Sequence, residues 1–120
     1  MWQIKIHRLV VEEDFKKIPS FEQKQILKTV QKKLLADPEA YGKPLRGEFS
    51  GYWRLRIGDY RVVYKILKDE VLVYVIKVGI RRDDRIYREL LSRLKQIKIK
   101  KNRKKENKVP GTFSVSGDRK

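Results

Sequence analysis

Alternating apolar and polar residues predict strands in three parts of the chain. Residues 2–7 alternate along their whole length, which predicts a short first strand with His7 at its polar surface. The runs 52–57 and 60–67 alternate in the same way on either side of a Gly-Asp pair. Residues 71–78 form a nearly continuous β-branched run, which is typical of a buried central strand.

A different spacing predicts a helix between the first strand and the later ones. Residues 10–17 have weak helical character, and a longer helix is predicted from Ser20 to about Ala36. Ser20 and Gln23 have the spacing of a capping box at its start. The predicted apolar stripe of this helix has three- and four-residue spacing and comprises Phe21, Ile26, Leu27, Val30, Leu34 and Leu35.

The last predicted helix follows the buried strand. Asp83 or Asp84 is expected to cap it, and its apolar side ends at about Leu94. The element order is therefore β-α-(α)-β-β-β-α, which indicates an α+β fold with a small antiparallel or mixed sheet. We expect the N-terminal helices to pack on one face of this sheet and to leave the other face open.

The Gly58-Asp59 pair organises the basic part of the chain. Gly at the first central position and Asp at the second favour a type II′ turn between two strands. Counting outward from this turn, Arg56 lies opposite Arg61, and both share a face with Arg54. Like charges that face each other destabilise a sheet, so we predict that this face binds an anion; a solvated arginine-rich face is the alternative. The other face is predicted to pack on the core and comprises Trp53, Leu55, Ile57, Tyr60, Val62 and Tyr64.

The charge of the chain supports an anionic partner. The formal net charge of the 120 residues is +16. Residues 93–120 hold eleven Lys or Arg and two acids, so residues 1–92 remain basic without them. A partner with many phosphates fits this charge, because it supplies both affinity and fast association. An acidic protein would fit it as well.

Composition narrows the kinds of site that are possible. The chain contains no Cys, which excludes disulfides and thiolate metal sites, and one His, which excludes multi-histidine metal sites. No apolar run approaches the roughly 18 residues of a membrane span. We therefore expect a cytoplasmic protein with no metal, no other cofactor and no membrane association.

The C-terminal part of the chain differs from the rest. From residue 97 the pattern becomes a lysine-rich run, followed by small and polar residues. We expect a domain over residues 1–96 and a basic tail over 97–120, disordered from about residue 101. The tail is interpreted as a nonspecific nucleic-acid arm, a solubilising segment or an extension without a role in the chemistry.

Five segments carry a resemblance to a known family: Leu45-Arg46-Gly47, Trp53-Arg54-Leu55-Arg56, Gly58-Asp59-Tyr60-Arg61-Val62-Val63-Tyr64, Val78-Gly79-Ile80-Arg81-Arg82-Asp83 and Ile86-Tyr87. Their order and spacing, within residues 2–94, resemble the RelE toxins of the RelE/ParE superfamily. The resemblance implies a toxin of a type II toxin–antitoxin system. It further implies a ribosome-dependent endoribonuclease that cleaves mRNA without a metal, through attack of the 2′-OH on the scissile phosphate. Its implied partners are the ribosome, mRNA and a cognate antitoxin.

The same resemblance implies catalytic roles for four residues. Arg54 matches a basic strand residue and Arg61 a phosphate-binding arginine. Arg81 matches an arginine near the leaving group, and Tyr87 a tyrosine that stacks on or orients the nucleotide. Further contacts with RNA or phosphate are expected from Tyr52, Arg56, Arg82, Arg85 and Arg46. For Arg82 and Arg85, surface charge without a ligand is the alternative.

One departure from the family and two other functions complete the prediction. Tyr52 stands where the best-known members carry a Lys that is a candidate for activating the 2′-OH. We interpret Tyr52 as a base-stacking residue, with a phenolate proton acceptor as the alternative, because a phenol ordinarily titrates near pH 10. The alternative functions are a ParE-like toxin that inhibits gyrase without catalysis and a catalytically weak RNA-binding relative.

Overall fold

The computed structural model describes residues 2–80, 85–103 and 113–114. Within these ranges the elements follow one another as β1 (Gln3–Ile6), a π-helical turn (Val10–Asp14), a 3₁₀ turn (Phe15–Lys17), α1 (Ser20–Leu34), α2 (Pro38–Tyr41), β2 (Lys43–Pro44), a 3₁₀ turn (Gly47–Phe49), β3 (Tyr52–Ile57), β4 (Tyr60–Leu67), a 3₁₀ turn (Lys68–Glu70), β5 (Leu72–Ile80), α3 (Arg85–Arg103) and β6 (Phe113–Ser114). The strands form one sheet in the order β2-β3-β4-β5-β1-β6. β1 runs parallel to β5, and the other neighbouring strands are antiparallel.

Helices cover both faces of this sheet. One buried cluster joins α1 and the N-terminal turns to one face, and a second joins α3 to the opposite face. The predicted α+β class is confirmed, but the expectation that helices cover one face only is wrong. The reason lies in β4, where Val62 and Tyr64 belong to the first cluster and Val63 to the second, all fully buried. A strand that is apolar on both sides requires a layer on each face.

The β3–β4 hairpin has the predicted turn and register. A type II′ turn requires a positive φ at its first central residue but not at its second. Gly58 meets this requirement with a φ of 58°, and the φ of Asp59 is not positive. Arg56 pairs with Arg61 and Ile57 with Tyr60. The like-charged pair predicted from the sequence is therefore present.

The start of α1 differs from the prediction. Ser20 is the first helical residue and no side chain caps the helix, so the predicted capping box is wrong. The Gln23 side chain instead donates hydrogen bonds of 2.7 Å to the carbonyl oxygens of Phe15 and Ile18. It thereby holds the preceding turn against the helix. Phe21 is 70% exposed and does not join the core, whereas the buried part of the predicted stripe comprises Ile26, Val30 and Leu34.

The C-terminal region also differs from the prediction. α3 continues to Arg103 instead of ending at about Leu94. Residues 113–114 pair with β1 as a strand, where disorder was expected. The expected helix caps Asp83 and Asp84 lie outside the described residues. No helix in the described part of the chain has the length and apolar character needed to cross a membrane.

His7 is buried, contrary to the prediction of a surface position. It is 6% exposed, and its Nδ1 accepts a hydrogen bond of 3.1 Å from the backbone N–H of Leu9. Its ring lies 5.8 Å from the ring of Tyr74. Tyr74 also packs on the cluster beneath α3, so His7 lies next to the second core layer, whereas Gln3 and Lys5 on the same side of β1 are exposed.

A buried carboxylate joins the N-terminal turns to β5 and α3. Asp14 accepts hydrogen bonds from Lys77 Nζ at 3.1 Å, from the Val78 backbone at 2.8 Å and from Arg93 at 2.7 and 3.0 Å. Arg93 also donates to the carbonyl oxygen of Ile76 at 3.0 Å. The three charged side chains are at most 5% exposed, so each depends on the others for its hydrogen bonds.

Two surface acids complete this network. Glu13 pairs with Arg93, and Glu89 pairs with Lys77, each at 3.0 Å. Burial raises the pKa of Glu89, but the hydrogen bond and charge of Lys77, with the charges of Lys17 and Arg85, outweigh it and lower this pKa. Glu89 therefore stabilises the fold above its ordinary pKa, and this contribution is lost as the pH falls through its folded value.

Replacing Asp14 should destabilise the protein strongly. Asp14→Ala leaves Lys77 and Arg93 buried without their shared acceptor, and we expect the free energy of unfolding to fall by about 3–5 kcal/mol. Urea unfolding followed by circular dichroism measures this loss. Glu12→Ala is the matched control, because Glu12 is exposed and its pair with Arg8 at 3.5 Å is expected to contribute about 0.5 kcal/mol or less. A loss below about 1 kcal/mol for Asp14→Ala would contradict the role assigned to it.

Candidate active site

Strands β3 and β4 present a basic face on the same side of the sheet as α3. In this register Tyr52 pairs with Lys65, Arg54 with Val63 and Arg56 with Arg61. Directly paired residues point to the same face, and the buried Val63 shows that this face is the one beneath α3. None of the six paired positions is an acid or His. We call these residues, together with Tyr87, the basic face: Tyr52, Arg54, Arg56, Arg61 and Lys65 around Val63.

Arg61 and Tyr87 are in direct contact on this face. Arg61 Nη1 donates a hydrogen bond of 2.9 Å to the Tyr87 hydroxyl, and its guanidinium carbon lies 5.5 Å from the ring centroid. The Phe49 ring lies 5.8 Å from the Tyr87 ring at an interplanar angle of 37°. Tyr87 is thus held by a strand residue and by the 3₁₀ turn that precedes β3. Arg61 and Tyr87, both predicted as site residues, are therefore neighbours although they are 26 positions apart, and their catalytic roles stay predictions.

The Arg61 guanidinium is fixed in place but not saturated. Its Nε lies buried and makes no hydrogen bond within the described part of the chain. Since the Tyr87 oxygen accepts from Arg61, the hydroxyl proton of Tyr87 remains available to another acceptor. An anion beside this pair would receive donors from both side chains.

Tyr52 is a neutral phenol in this environment. The side chain is half-buried, and burial raises its pKa above the ordinary value of 10. Removing its proton near neutral pH would therefore cost more than for an exposed tyrosine. This direction favours the interpretation of Tyr52 as a stacking residue over the interpretation as a phenolate.

The remaining residues predicted for the site lie in different places. Arg54 is half-buried and Arg56 is exposed, both on the basic face. Arg46 is exposed and immediately precedes the 3₁₀ turn that carries Phe49. Arg81 and Arg82 lie outside the described residues.

Arg85 is separated from the basic face. It is the first residue of α3 and lines a cleft of about 210 Å³ between this helix and the N-terminal turns. Lys17, Lys77 and Glu89 line the same cleft, whereas no arginine of the hairpin does. The structure therefore does not bring Arg85 together with the Arg61–Tyr87 pair, and its contact with RNA stays a prediction.

Lys65 belongs to the basic face, although the sequence analysis missed it. Its ammonium lies 5.4 Å from the centroid of the Tyr52 ring, directly across the two strands. The signal was present in the sequence, because continuing the count outward from Gly58-Asp59 reaches the pair of Tyr52 and Lys65. An alternation of Arg, Val and Lys along β4 does not stand out without that register.

The tip of the hairpin is held from the opposite face. The Tyr60 hydroxyl donates a hydrogen bond of 2.5 Å to Glu22 of α1. This hydrogen bond, burial and the charges of Glu22 and Asp59 raise the pKa of Tyr60 to about 12. The hydroxyl therefore stays protonated and the contact persists throughout the physiological pH range.

Gly42 supports the other end of the hairpin. The Tyr64 hydroxyl donates 2.6 Å to the carbonyl oxygen of Pro38 and passes against Gly42. A Cβ at Gly42 would overlap this hydroxyl and lie 2.9 Å from the carbonyl oxygen of Arg54. The absent side chain thus lets β3 approach the segment that precedes β2.

Comparison with known proteins places the chain in a family. Residues 4–85 match the family described as the ParE toxin of the type II toxin–antitoxin system parDE. The mRNA interferase toxin RelE of Escherichia coli is 32% identical over 82 residues, which cover 68% of this chain and 85% of that protein. The chain belongs to the RelE/ParE family of type II toxins.

Two further relatives agree with this assignment. The toxin RelG of Mycobacterium tuberculosis is 40% identical over 55 residues, which cover 46% of this chain and 61% of that protein. The toxin–antitoxin complex RelBE2 from the same organism contains a chain that matches with a TM-score of 0.62 and 26% identity, covering 67% of this chain and 98% of the other. This structural likeness agrees with the α+β fold described above.

A side chain at Gly42 should disturb β3. We expect Gly42→Ala to lower the free energy of unfolding by about 1–3 kcal/mol, because the added methyl group overpacks the space that the Tyr64 hydroxyl occupies. Thermal unfolding followed by circular dichroism measures the change. Combining Gly42→Ala with Tyr64→Phe removes the hydroxyl and should cost less than the two single changes added together. Strict additivity of the two changes would show that they do not collide.

Proposed function

We propose that this chain cleaves mRNA on the ribosome as the toxin of a type II toxin–antitoxin pair. The observation that carries the proposal is the hydrogen bond between Arg61 and Tyr87, in the middle of a face rich in arginine. Such a face suits a phosphodiester, and a tyrosine hydroxyl adds a group that exchanges a proton. The name mRNA interferase, given to the relative at 32% identity, supports the same activity.

The chemistry requires no metal for the charges to balance. The ribose 2′-oxygen attacks the phosphorus in line, and the bond from phosphorus to the 5′-oxygen breaks. The products are a 2′,3′-cyclic phosphate and a 5′-hydroxyl, so the proton lost from the 2′-OH is matched by the proton gained at the 5′-oxygen. Negative charge grows on the nonbridging oxygens in the transition state, where Arg54, Arg56 and Arg61 are placed to bind it.

The tyrosine hydroxyl beside Arg61 takes part in the placement of these charges. Tyr87 accepts from Arg61 and directs its own proton toward the anion that the arginines bind. Arg81 lies outside the described residues, and we assign it to the developing 5′-oxyanion on the resemblance alone. A guanidinium effectively never loses its proton, so this role is one of charge stabilisation.

The ribosome supplies what the basic face lacks. The paired positions of β3 and β4 include neither a carboxylate nor His to accept the 2′-proton at neutral pH. Holding the nucleophile in line with the leaving group lowers the barrier substantially without any such base. We therefore assign the positioning of the mRNA to the decoding site of the ribosome, which also places the protein in the cytoplasm.

A cognate antitoxin is the second partner. One of the structural relatives was solved as a toxin–antitoxin complex. The net charge of +16 favours an acidic segment in the inhibitor of this chain. A segment that covers the basic face or displaces α3 would separate Arg61 from Tyr87 or from RNA.

Cleavage of mRNA and its dependence on Arg61 and Tyr87 can be tested together. Primer extension on cellular mRNA after brief expression should give discrete stops within translated codons. Arg61→Ala should lower cleavage of ribosome-bound mRNA by about 10²–10³-fold, the range for losing one donor to a developing negative charge. Tyr87→Phe should lower it by about tenfold or more, because one charge-assisted hydrogen bond is lost.

The controls remove a positive charge and a tyrosine hydroxyl away from the basic face. Lys24→Ala removes an exposed charge from α1, and Tyr41→Phe removes the hydroxyl of an exposed tyrosine; both should leave cleavage unchanged. Intact mRNA together with trapped gyrase–DNA complexes would replace this proposal with the ParE-like function. Full activity of both Arg61→Ala and Tyr87→Phe would refute the site.

The raised pKa of Tyr52 leads to a separate prediction. A phenol that burial keeps neutral does not serve as the base, so Tyr52→Phe should retain cleavage within about threefold. The dependence of kcat/KM on pH between about 6 and 9 should be the same for Tyr52→Phe and for the parent protein. A loss of several hundredfold, with disappearance of an alkaline limb, would instead identify Tyr52 as the base.

A further inference from the structure

Lys65 stands in a defined place at one end of the basic face. It pairs with Tyr52 of β3 on one side and with Tyr74 of β5 on the other, so it lies in a row of three strands on one face. Its ammonium lies 5.4 Å from the centroid of the Tyr52 ring. A cation over an aromatic face is attracted to it, which favours one position for this long side chain.

Lys65 has no acidic partner within the described part of the chain. Lys68, three residues further along the chain, forms an ion pair of 2.9 Å with Glu39, whereas no acid occupies a position of β3 or β4 that is paired on the face of Lys65. Lys65 is also exposed, so its charge is available to a ligand. Three features therefore coincide: a position favoured by the Tyr52 ring, a charge without an acidic partner in the described part of the chain, and access from solvent.

The position of Lys65 relative to Arg54 identifies the ligand group. Arg54 pairs with Val63, so Arg61 and Lys65 are its two diagonal neighbours on β4. Diagonal positions lie about 7–8 Å apart, within reach of two long side chains that converge on one anion. A phosphate held by Arg54 can therefore be contacted by Arg61 from one side and by Lys65 from the other.

We propose that Lys65 is a phosphate-binding residue of this site and, together with Arg54, binds the RNA backbone. It supplies from β4 the ammonium that position 52 of β3 lacks, because Tyr52 occupies that position in this chain. The aromatic ring of Tyr52 then has a second task, which is to hold the ammonium of Lys65. This inference rests on the proposed function for its substrate, a single-stranded RNA.

Cleavage by ribosomes programmed with a short mRNA gives the first test. Lys65→Gln should lower kcat/KM by about ten- to a hundredfold, the range for one charge-assisted hydrogen bond. Lys65→Arg keeps the charge and should stay within about threefold of the parent protein. Lys28→Gln removes the same charge from an exposed position on α1 and should have no effect.

Moving the ammonium from position 65 of β4 to position 52 of β3 tests whether either strand can supply it. Tyr52→Lys combined with Lys65→Gln returns an ammonium to the same row from β3, and we expect it to recover most of the activity that Lys65→Gln loses. Circular dichroism melting should show the same fold for every variant. If the double variant is as inactive as Lys65→Gln alone, the inference that Lys65 supplies the ammonium missing at position 52 is overturned.

Binding of a labelled single-stranded RNA provides a measurement that does not depend on cleavage. The slope of log K against log salt reports the number of phosphates neutralised, at about 0.7 per contact for a single strand. Lys65→Gln should therefore reduce this slope by about 0.7, and Lys28→Gln should not change it. If Lys65→Gln behaves like Lys28→Gln in both assays while the parent protein cleaves, the inference about Lys65 fails and the proposed function stands. If the parent protein does not cleave, the proposed function fails, and the salt slope still decides whether Lys65 binds phosphate.

Discussion

The buried carboxylate of Asp14 is the interaction on which the rest of the structure depends. It accepts the backbone N–H of Val78 on a part of β5 that lies beyond the register of β1. The same carboxylate binds Arg93 and so fixes α3 against the sheet. That helix carries Tyr87 to the Arg61 side chain. A residue in an irregular N-terminal turn therefore determines the geometry of a site that it does not touch.

The network around Asp14 and the basic face differ in how their charges are balanced. Around Asp14 every buried charge has a partner of the other sign, so desolvation is offset within the protein. On the basic face Arg56 faces Arg61, and the paired strand positions provide no acid to balance Arg54 or Lys65. Like charges that face each other destabilise a sheet, which supports the proposal that this face binds an anion. The buried ion pairs of Asp14 stabilise the scaffold on which Arg56 and Arg61 face each other.

The sequence predicted the features that are encoded locally. A Gly-Asp turn determines the β3–β4 register by itself, and so the opposition of Arg56 and Arg61 was predictable. Periodicity indicates which side of a helix is apolar but not how far along the helix its neighbours extend, and this is why Phe21 was wrongly placed in the core. The ion pairs of Asp14 with Lys77 and Arg93 join residues 63 and 79 positions apart, and no local pattern indicates such a pair. The second helical layer was missed although β4 and β5 give a local sign of it, because consecutive apolar residues such as Val62 and Val63 indicate burial on both faces of a strand.

The parallel pairing of β1 with β5 has a consequence for the order in which the protein assembles. Gln3 pairs with Leu72 and Ile6 with Val75, so β1 can enter the sheet only after β5 has been synthesised. Such distant pairing carries a large loop-closure cost and slows folding. The helix bearing Tyr87 emerges later still. During synthesis the arginine hairpin therefore exists before the helix whose Tyr87 contacts Arg61.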